Sequence, residues 1–422
     1  MHRPTRRQLL GGAAGLGLAA TGSALGLPRL EERGESRSLV VVYLRGGADF
    51  LNMVVPRRDD AYELSRPTIA IREDELVELD RDWGLHPALA RLKPLFDEGL
   101  FVPVVGAGSP HPTRSHFDAQ DFMNHGAPGD RTVHSGWLNR YLLASQGERP
   151  APNEFRGLGM QRLLPTALRG EFPVLAVPDG FDGRRGGGVL DRFERFYGAD
   201  RRREEPSEGD SPMEGGGMDE RRDEGLDVVH SGKVTIETLR RFQEIVAAPV
   251  ETDHGYPRSR FGDGMRRIGQ VLRSGEGLEV AGIDVDGWDH HANQGGAEGT
   301  QARQLDDLAR GLAAFRAHLG PAFARTIVLV MTEFGRTVRE NGSGGTDHGH
   351  GSGMLVLGGG LRDGVFGDWR GLGTKALYEG RDVPVTTDFR DLFATVLREH
   401  LDFRCPKDFF PGHRPRTLKL FR

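Results

Sequence analysis

Short, unbroken apolar runs recur along the chain and alternate with segments whose apolar residues follow a helical spacing. The runs lie at residues 39–44, 100–105, 173–177, 278–284, 326–331 and 354–357. Such runs are typical of strands buried on both faces of a parallel sheet. Helical spacing is present at residues 87–99, 115–124, 135–145, 234–246, 261–273, 301–319 and 388–401. The alternation predicts a doubly wound α/β fold with a mainly parallel sheet and helices on both faces.

Two segments depart from this alternation. Residues 1–27 begin with basic side chains that include Arg6 and Arg7, and continue with a weakly apolar stretch and small residues near 22–24. This composition predicts a twin-arginine signal peptide rather than a structural helix, and therefore an exported protein, periplasmic or extracellular. Residues 200–232 are rich in charge and glycine, which predicts a disordered or mobile insertion in the domain formed by residues 28–422.

The composition argues against several classes of protein. A net charge of −5 argues against a nucleic-acid binder that works by bulk charge. Beyond the first segment no apolar run approaches 20 residues, so we expect no integral membrane span in the mature chain. The single cysteine, Cys405, excludes an internal disulfide and a cysteine-rich zinc module.

Acids, histidines and hydroxyls follow four of the predicted strands. Sheets of this type bind ligands beyond the carboxyl ends of their strands, so these positions are the candidates for a site. Asp49 ends a glycine turn after the first strand. Ser115 begins a helix after the second strand, where it could cap the helix or act as a nucleophile. Arg114 could hold an anionic ester oxygen beside it.

Two later strand ends carry clusters of acids and histidines. One cluster lies within residues 284–294 and the other within residues 333–351, where glycines separate the polar side chains. Carboxylate and imidazole ligands without cysteine suit zinc or manganese, whereas an all-oxygen set would suit calcium or magnesium. Each cluster could instead be a hydrogen-bonded structural loop. The candidate metal ligands in the two clusters are Asp286, Asp289, His290, His291, Glu333, Asp347, His348 and His350.

Taken in order, these motifs resemble the exported family called domain of unknown function 1501. The resemblance rests on the leader and on motifs at residues 42–49, 114–117, 287–294, 332–336 and 345–349, and it extends to residues 388–391. That family is similar to the alkaline phosphatase and sulfatase superfamily, so the resemblance implies an alkaline-phosphatase-like fold. The formylglycine motif of sulfatases needs Cys or Ser at position 110, where Pro110 stands, so a formylglycine sulfatase is not expected.

The resemblance also implies roles for individual residues. It makes Asp49 a first-strand metal ligand and Ser115 the nucleophile, with Thr113 as a weaker candidate. It places Asp289 and His291 as ligands of one metal, while Asp286 and His290 would restore the superfamily's usual spacing. Glu333 takes a strand-end ligand position, and His348 or His350 supplies the last imidazole. The candidate catalytic residues are Ser115, Arg114, Thr113 and His116.

These observations predict an exported, metal-dependent hydrolase of phosphate-type or sulfate-type esters that uses a serine nucleophile. The expected cofactors are divalent metal ions, in a number that the sequence leaves open. The expected partners are a small-molecule or glycan ester and, during export, the twin-arginine translocase. The alternative is a non-catalytic, metal-stabilised binding or scaffold protein of the same fold in the envelope or periplasm.

Overall fold

The computed structural model describes residues 36–148, 154–161, 163–178, 237–249 and 252–422. The predicted signal peptide at residues 1–27 and the predicted insertion at residues 200–232 lie outside the described residues. Within the described part, no helix is long and apolar enough to cross a membrane.

An eight-stranded sheet organises the described chain, and a three-stranded sheet with the order β2-β4-β3 lies beside it. The strands are β1 (Ser38–Leu44), β2 (Val54–Pro56), β3 (Val77–Glu78), β4 (Trp83–Leu85), β5 (Phe101–Gly108), β6 (Gly157–Gly159), β7 (Leu175–Ala176), β8 (Val280–Val285), β9 (Thr326–Met331), β10 (Ser352–Gly358) and β11 (Thr387–Asp388). The large sheet has the order β11-β5-β10-β9-β1-β8-β6-β7. Only β10 runs against its neighbours in this sheet.

Helices lie between these strands, largely where the sequence predicts them. They are α1 (Phe50–Met53), α2 (Ala61–Ser65), α3 (Lys93–Asp97), α4 (His116–His125), α5 (Trp137–Ala144), α6 (Arg260–Ser274), α7 (Thr300–Leu319) and α8 (Phe389–Thr395). Residues 237–247 are also helical. The helix predicted over residues 87–99 is instead a 3-10 segment, Pro87–Leu92, that runs into α3.

The central strand β1 contributes side chains to two separate hydrophobic cores. Val40 and Val42 pack into the core that contains residues of α6 and α7, while Leu39 and Val41 pack into the core that contains residues of α5 and α8. Successive side chains of a strand point to opposite faces, so a sheet covered on both sides needs an unbroken apolar strand. The prediction of a mainly parallel α/β fold with helices on both faces is thereby confirmed.

The reversed direction of β10 determines which loops meet at one edge of the sheet. Strands β1, β8 and β9 are parallel and finish together, with Leu44 opposite Val285 and Tyr43 opposite Met331. Because β10 is antiparallel to β9, it begins at the edge where they end. Residues 345–351, which lead into β10, therefore lie beside the loops that follow β1, β8 and β9.

Candidate metal centre at the carboxyl edge of the sheet

Three imidazoles converge on the carboxylate of Asp289 at this edge. His116 Nε2 lies 3.3 Å from Asp289 Oδ2. His348 Nε2 and His291 Nε2 lie 3.2 Å and 3.0 Å from Asp289 Oδ1. The Nε2 atoms of His291 and His348 are themselves 3.0 Å apart. The side chains of His116 and Asp289 are 28% and 41% exposed, so solvent and small ligands can reach the cluster.

The other ring nitrogen of each histidine faces an oxygen atom. The acceptors are Glu333 Oε1 at 2.8 Å from His116 Nδ1, the Arg114 carbonyl oxygen at 2.8 Å from His348 Nδ1, and Asp347 Oδ1 at 3.2 Å from His291 Nδ1. Carbonyl oxygens and ionised carboxylates accept hydrogen bonds and donate none, so each Nδ1 atom can donate a proton to the oxygen that it faces. In that tautomer the Nε2 atom of each ring keeps a lone pair that a cation beside Asp289 can bind.

This arrangement fits a divalent metal ion. The Nε2 atoms of His291 and His348 are 3.0 Å apart, a contact that needs a proton or a cation between them. The potential ligand atoms of His116, Asp289 and His348 all lie within 4.8 Å of one another. Ligands at about 2.0–2.1 Å from a tetrahedral zinc ion are roughly 3.3 Å apart, close to the spacings observed here. Zinc and manganese sites commonly combine carboxylate ligands with histidine ligands, and the second ring nitrogen of such a histidine usually bonds to an oxygen atom.

Glu333 lies behind His116. Its side chain is fully buried at the end of β9, and Oε1 accepts hydrogen bonds from the Gly46 amide at 2.9 Å and from Gln120 Nε2 at 2.8 Å, in addition to His116. Burial raises the pKa of Glu333, but the hydrogen bonds from His116 and Gln120 outweigh burial and lower it, so the carboxylate is ionised. The arrangement suits a residue that orients His116.

Phe334 and Gly46 shape the floor of the cluster. The buried ring of Phe334 contacts the rings of His116 and His348, with centroids 4.9 Å and 4.8 Å away. Gly46 has a φ of +123°, and a Cβ atom there would stand 2.5 Å from the Asp289 amide nitrogen. Glycine is therefore required for the loop after β1 to pass beneath Asp289.

Arg336 joins the loops around the cluster. Its side chain is fully buried and donates to Asp289 Oδ1 at 2.5 Å. Burial raises the pKa of Asp289, yet the hydrogen bond and charge of Arg336 lower it overall, so Asp289 is an anion. The guanidinium also donates to the carbonyl oxygens of Gly47 at 2.6 Å, Gly46 at 2.8 Å, Thr346 at 3.0 Å and Trp288 at 3.2 Å.

The structure places Asp49 away from this cluster. Asp49 is 1% exposed and forms a bidentate ion pair with Arg66, with Nη1–Oδ2 and Nη2–Oδ1 distances of 2.6 Å and 3.0 Å. Gln294 Nε2 donates to Oδ2 at 2.7 Å. Both carboxylate oxygens therefore already have donors, although the residue follows β1 as the sequence predicts.

Ser115 is the N-cap residue of α4, directly before His116. Its side chain is exposed and does not cap the helix by a hydrogen bond. Thr113 Oγ1 accepts a hydrogen bond from the Ser115 amide at 3.2 Å. The nearby Arg114 guanidinium is committed elsewhere, because its Nη2 atom lies 2.7 Å from carboxylate oxygens of Glu379 and Asp382.

Three other predicted ligands lie outside the His116–Asp289–His348 group. Asp286 is exposed in the loop after β8. His290 and His350 are buried, and burial lowers the pKa of both. His350 stacks on Tyr378 at a centroid distance of 4.2 Å. The structure therefore brings together His116, Asp289, His291 and His348, with Asp347 and Glu333 behind two of the histidines.

Sequence reasoning assigned no role to Gln120 or Arg336. Gln120 lies four residues after His116 in α4, and this spacing puts both side chains on one helix face. That signal could have been found. Arg336 lies in the motif at residues 332–336, but its residue type indicated no role, because arginine is spread along the whole chain.

The family model described as "Protein of unknown function (DUF1501)" matches residues 103–405, which is more than half of the chain. The chain belongs to this family. The region that matches the DUF1501 family contains His116, Asp289, His291, Glu333 and His348, whereas residues 36–102 lie before it. The predicted family is therefore confirmed. No curated protein matches the chain.

Solved structures similar to this DUF1501 protein include two hydrolases. One is a 2-O GAG sulfatase, with a TM-score of 0.34 and 10% identity, covering 91% of this chain and 73% of that chain. The other is the phosphonate monoester hydrolase of Agrobacterium radiobacter, with a TM-score of 0.31 and 11% identity, covering 90% of this chain and 78% of that chain. These values are too low to assign a reaction, so the function has to be argued from the side chains of the site.

Proposed function

We propose that this protein is a metal-dependent hydrolase of phosphate-type or sulfate-type esters, acting on a small-molecule or glycan ester. The observation that carries the proposal is the convergence of three Nε2 atoms on the accessible carboxylate of Asp289. A divalent ion, zinc or manganese by the ligand types, would be held by His116, Asp289 and His348. When bound, it supplies a Lewis acid that neutralises charge on the ester oxygens.

Ser115 is the proposed nucleophile. Its exposed hydroxyl lies at the N-terminus of α4, a helix of ten residues, beside His116. The first-turn amides and the dipole of α4 favour an anionic ester oxygen at this end. In the proposed reaction, Ser115 Oγ bonds to the phosphorus or sulfur atom as the bond to the alcohol oxygen breaks, and the departing alcohol takes up the hydroxyl proton. Water then adds to the phosphorus or sulfur atom of the Ser115 ester, which releases phosphate or sulfate and returns a proton to Ser115 Oγ.

Arg114 has a positioning role in this proposal. Its side chain is anchored by Glu379 and Asp382, and its carbonyl oxygen lies 2.8 Å from His348 Nδ1. The anchored main chain keeps the His348 ring in one orientation. Contacts to the substrate anion are assigned to the amides of α4.

A metal-stabilised scaffold without catalytic activity is the second candidate. It is favoured by Ser115, whose hydroxyl has no hydrogen-bonded base within the described part of the chain. It is also favoured by Asp49 and Glu333, whose carboxylates are engaged by other side chains. In this function the metal would tie together the three segments that carry His116, Asp289 and His348, and leave the outer surface to bind a glycan or an envelope component.

Metal content and turnover separate the two functions. Residues 28–422 should be purified without chelator, analysed by inductively coupled plasma mass spectrometry and assayed on nitrophenyl phosphate, phosphonate and sulfate esters. The hydrolase predicts bound metal that Asp289→Asn loses, and turnover that chelation abolishes. Ser115→Ala should reduce kcat by about a thousandfold or more while retaining metal. Thr132→Val, which removes an exposed hydroxyl bonded to Asp130, serves as the control. Bound metal without turnover on any ester would favour the scaffold.

Export by the twin-arginine translocase is a separate part of the proposal. It is supported by the paired Arg6 and Arg7 and by the weakly apolar stretch that follows them. A reporter fused to residues 1–35 should leave the cytoplasm in a bacterial host. When Arg6 and Arg7 are both replaced by Lys, the reporter should stay in the cytoplasm. Arg3→Lys is the matched control and should leave export unchanged. Export that survives the double replacement would exclude this route.

A further inference from the structure

We infer that the cluster binds one divalent ion rather than two, and that the guanidinium of Arg336 occupies the place where a second cation would have to lie. The inference rests on the proposed function only in taking a metal as the occupant of the cluster. It follows from which carboxylate oxygens at this edge are already engaged and from the balance of charge around Asp289.

Asp49 cannot act as a ligand without losing Arg66. The Arg66 side chain is fully buried, and besides Asp49 it donates to Asn52 Oδ1 at 2.6 Å and to the carbonyl oxygens of Val338 at 2.8 Å and Thr337 at 3.0 Å. Both terminal nitrogens of Arg66 are bonded to Asp49. A metal at Asp49 would take from this buried guanidinium the carboxylate that balances its charge.

Glu333 is engaged in a comparable way. Its side chain is fully buried, and Oε1 accepts from three N–H groups, those of Gly46, Gln120 and His116. If Glu333 turned toward a metal ion, the Nδ1 proton of His116 would lose its acceptor. The orientation that directs His116 Nε2 at Asp289 would then be lost. Glu333 therefore cannot bind a metal ion and hold His116 in this orientation at the same time.

Arg336 places a permanent positive charge against Asp289. Its buried side chain donates to Asp289 Oδ1 and to four carbonyl oxygens of the surrounding loops. A second divalent ion beside Asp289 would lie close to this charge and would be repelled by it. Because the guanidinium is fixed by five acceptors, it cannot move aside as an exposed arginine would.

The charges around the cluster balance with one divalent ion. Three carboxylates face the histidines and Arg336, namely Asp289, Glu333 and Asp347. These three negative charges and the positive charge of Arg336 give the cluster a net charge of −2. The neighbouring Arg45–Asp284 pair and the group formed by Arg114, Arg381, Glu379 and Asp382 are each neutral. One divalent ion neutralises the site, whereas two would leave it with a double positive charge.

Metal stoichiometry tests the inference without reference to catalysis. The metal-free protein, residues 28–422, should be titrated with zinc and separately with manganese by calorimetry. Bound metal should then be measured by mass spectrometry after dialysis. The expected result is one tightly bound equivalent in the wild type. Asp49→Asn should retain that equivalent, Glu333→Gln should retain it with an affinity about 10–100-fold weaker, and Asp289→Asn should bind none.

Two tightly bound equivalents in the wild type would overturn the inference and leave the proposed hydrolase standing. No bound metal in the folded wild type would overturn both. Circular dichroism should accompany each variant, and if Asp49→Asn does not fold, the wild-type stoichiometry alone decides between one ion and two.

Discussion

His116 is held by Glu333 from behind: its Nδ1 atom lies 2.8 Å from Glu333 Oε1, and its Nε2 atom faces Asp289. The hydrogen bond to Glu333 is the largest factor that raises the pKa of His116. The pair also fixes which ring nitrogen carries the proton, and that decides whether His116 can offer a lone pair to the cluster.

Glu333→Gln is therefore expected to weaken zinc binding about 10–100-fold while the protein stays folded. The amide is neutral and presents a donor as well as an acceptor, so it no longer holds one tautomer of His116. Calorimetric titration measures the dissociation constant. Glu340→Gln, in the same loop region but bonded to Thr68, is the matched control and should bind zinc like the wild type. Equal affinity in both variants would contradict the role assigned to Glu333.

Asp49→Asn should lower the free energy of unfolding by about 3–5 kcal/mol, because it leaves the buried Arg66 charge without its partner. Urea denaturation followed by circular dichroism measures this difference. Asp97→Asn is the control, since the Lys93–Asp97 pair is exposed and its loss should cost only about 0.3–0.5 kcal/mol. Similar losses in the two variants would show that burial does not strengthen the Asp49–Arg66 pair.

Gly345→Ala should displace the loop that carries His348. A Cβ atom at Gly345 would stand 2.5 Å from the His290 carbonyl oxygen and from the carbonyl carbon of His291. The two loops would have to separate, so zinc affinity should fall about tenfold or more. Gly342→Ala is the control, because a Cβ there meets nothing within 4 Å. Unchanged zinc affinity in Gly345→Ala would show that the loops are not held against each other.

His400 should make stability depend on pH. Burial lowers its pKa from 6.5 to about 4 in the folded protein, where Nε2 lies 2.9 Å from the Ser38 carbonyl oxygen. Above pH 6.5 both folded and unfolded chains hold a neutral ring. As pH falls from 6.5 to 4, only the unfolded chain takes up the proton, so up to about 3 kcal/mol of stability is lost.

Urea unfolding between pH 7.5 and pH 4.5 measures this dependence. His400→Gln keeps a donor for the Ser38 carbonyl and should flatten the curve relative to the wild type. His134→Gln, at an exposed position, is the matched control. If the wild-type and His400→Gln curves ran parallel, the buried histidine would not be the source of the slope.

Local sequence pattern predicted the buried strands well. The run at residues 326–331 coincides with β9, and the helix predicted at 301–319 begins one residue earlier, as α7. The direction of β10 could not be predicted, because a strand buried on both faces has the same pattern in either direction. The short strands β2, β3 and β4 also lacked a signal, since two or three residues do not establish a period.

The site was predictable in kind but not in detail. Strand ends rich in acids and histidines indicated where Asp289 and His348 would meet. Asp49 follows its strand in the same way, yet it pairs with Arg66, a residue in a loop with no recognisable pattern. Whether a carboxylate at a strand end is free depends on distant partners, and spacing along the chain does not report them.

Because β10 lies between β5 and β9, the last histidine of the cluster arrives with a strand that has to insert into the middle of the sheet. His348 and its partner Arg114 are 234 positions apart in the chain. During synthesis the strands β1, β5, β8 and β9 all emerge before the loop that brings His348. A nascent or truncated chain that stops before residue 345 therefore carries His116, Asp289 and His291 but lacks His348 and the strand that follows it. If the cluster binds a metal as proposed, tight binding would report that β10 has inserted into the sheet.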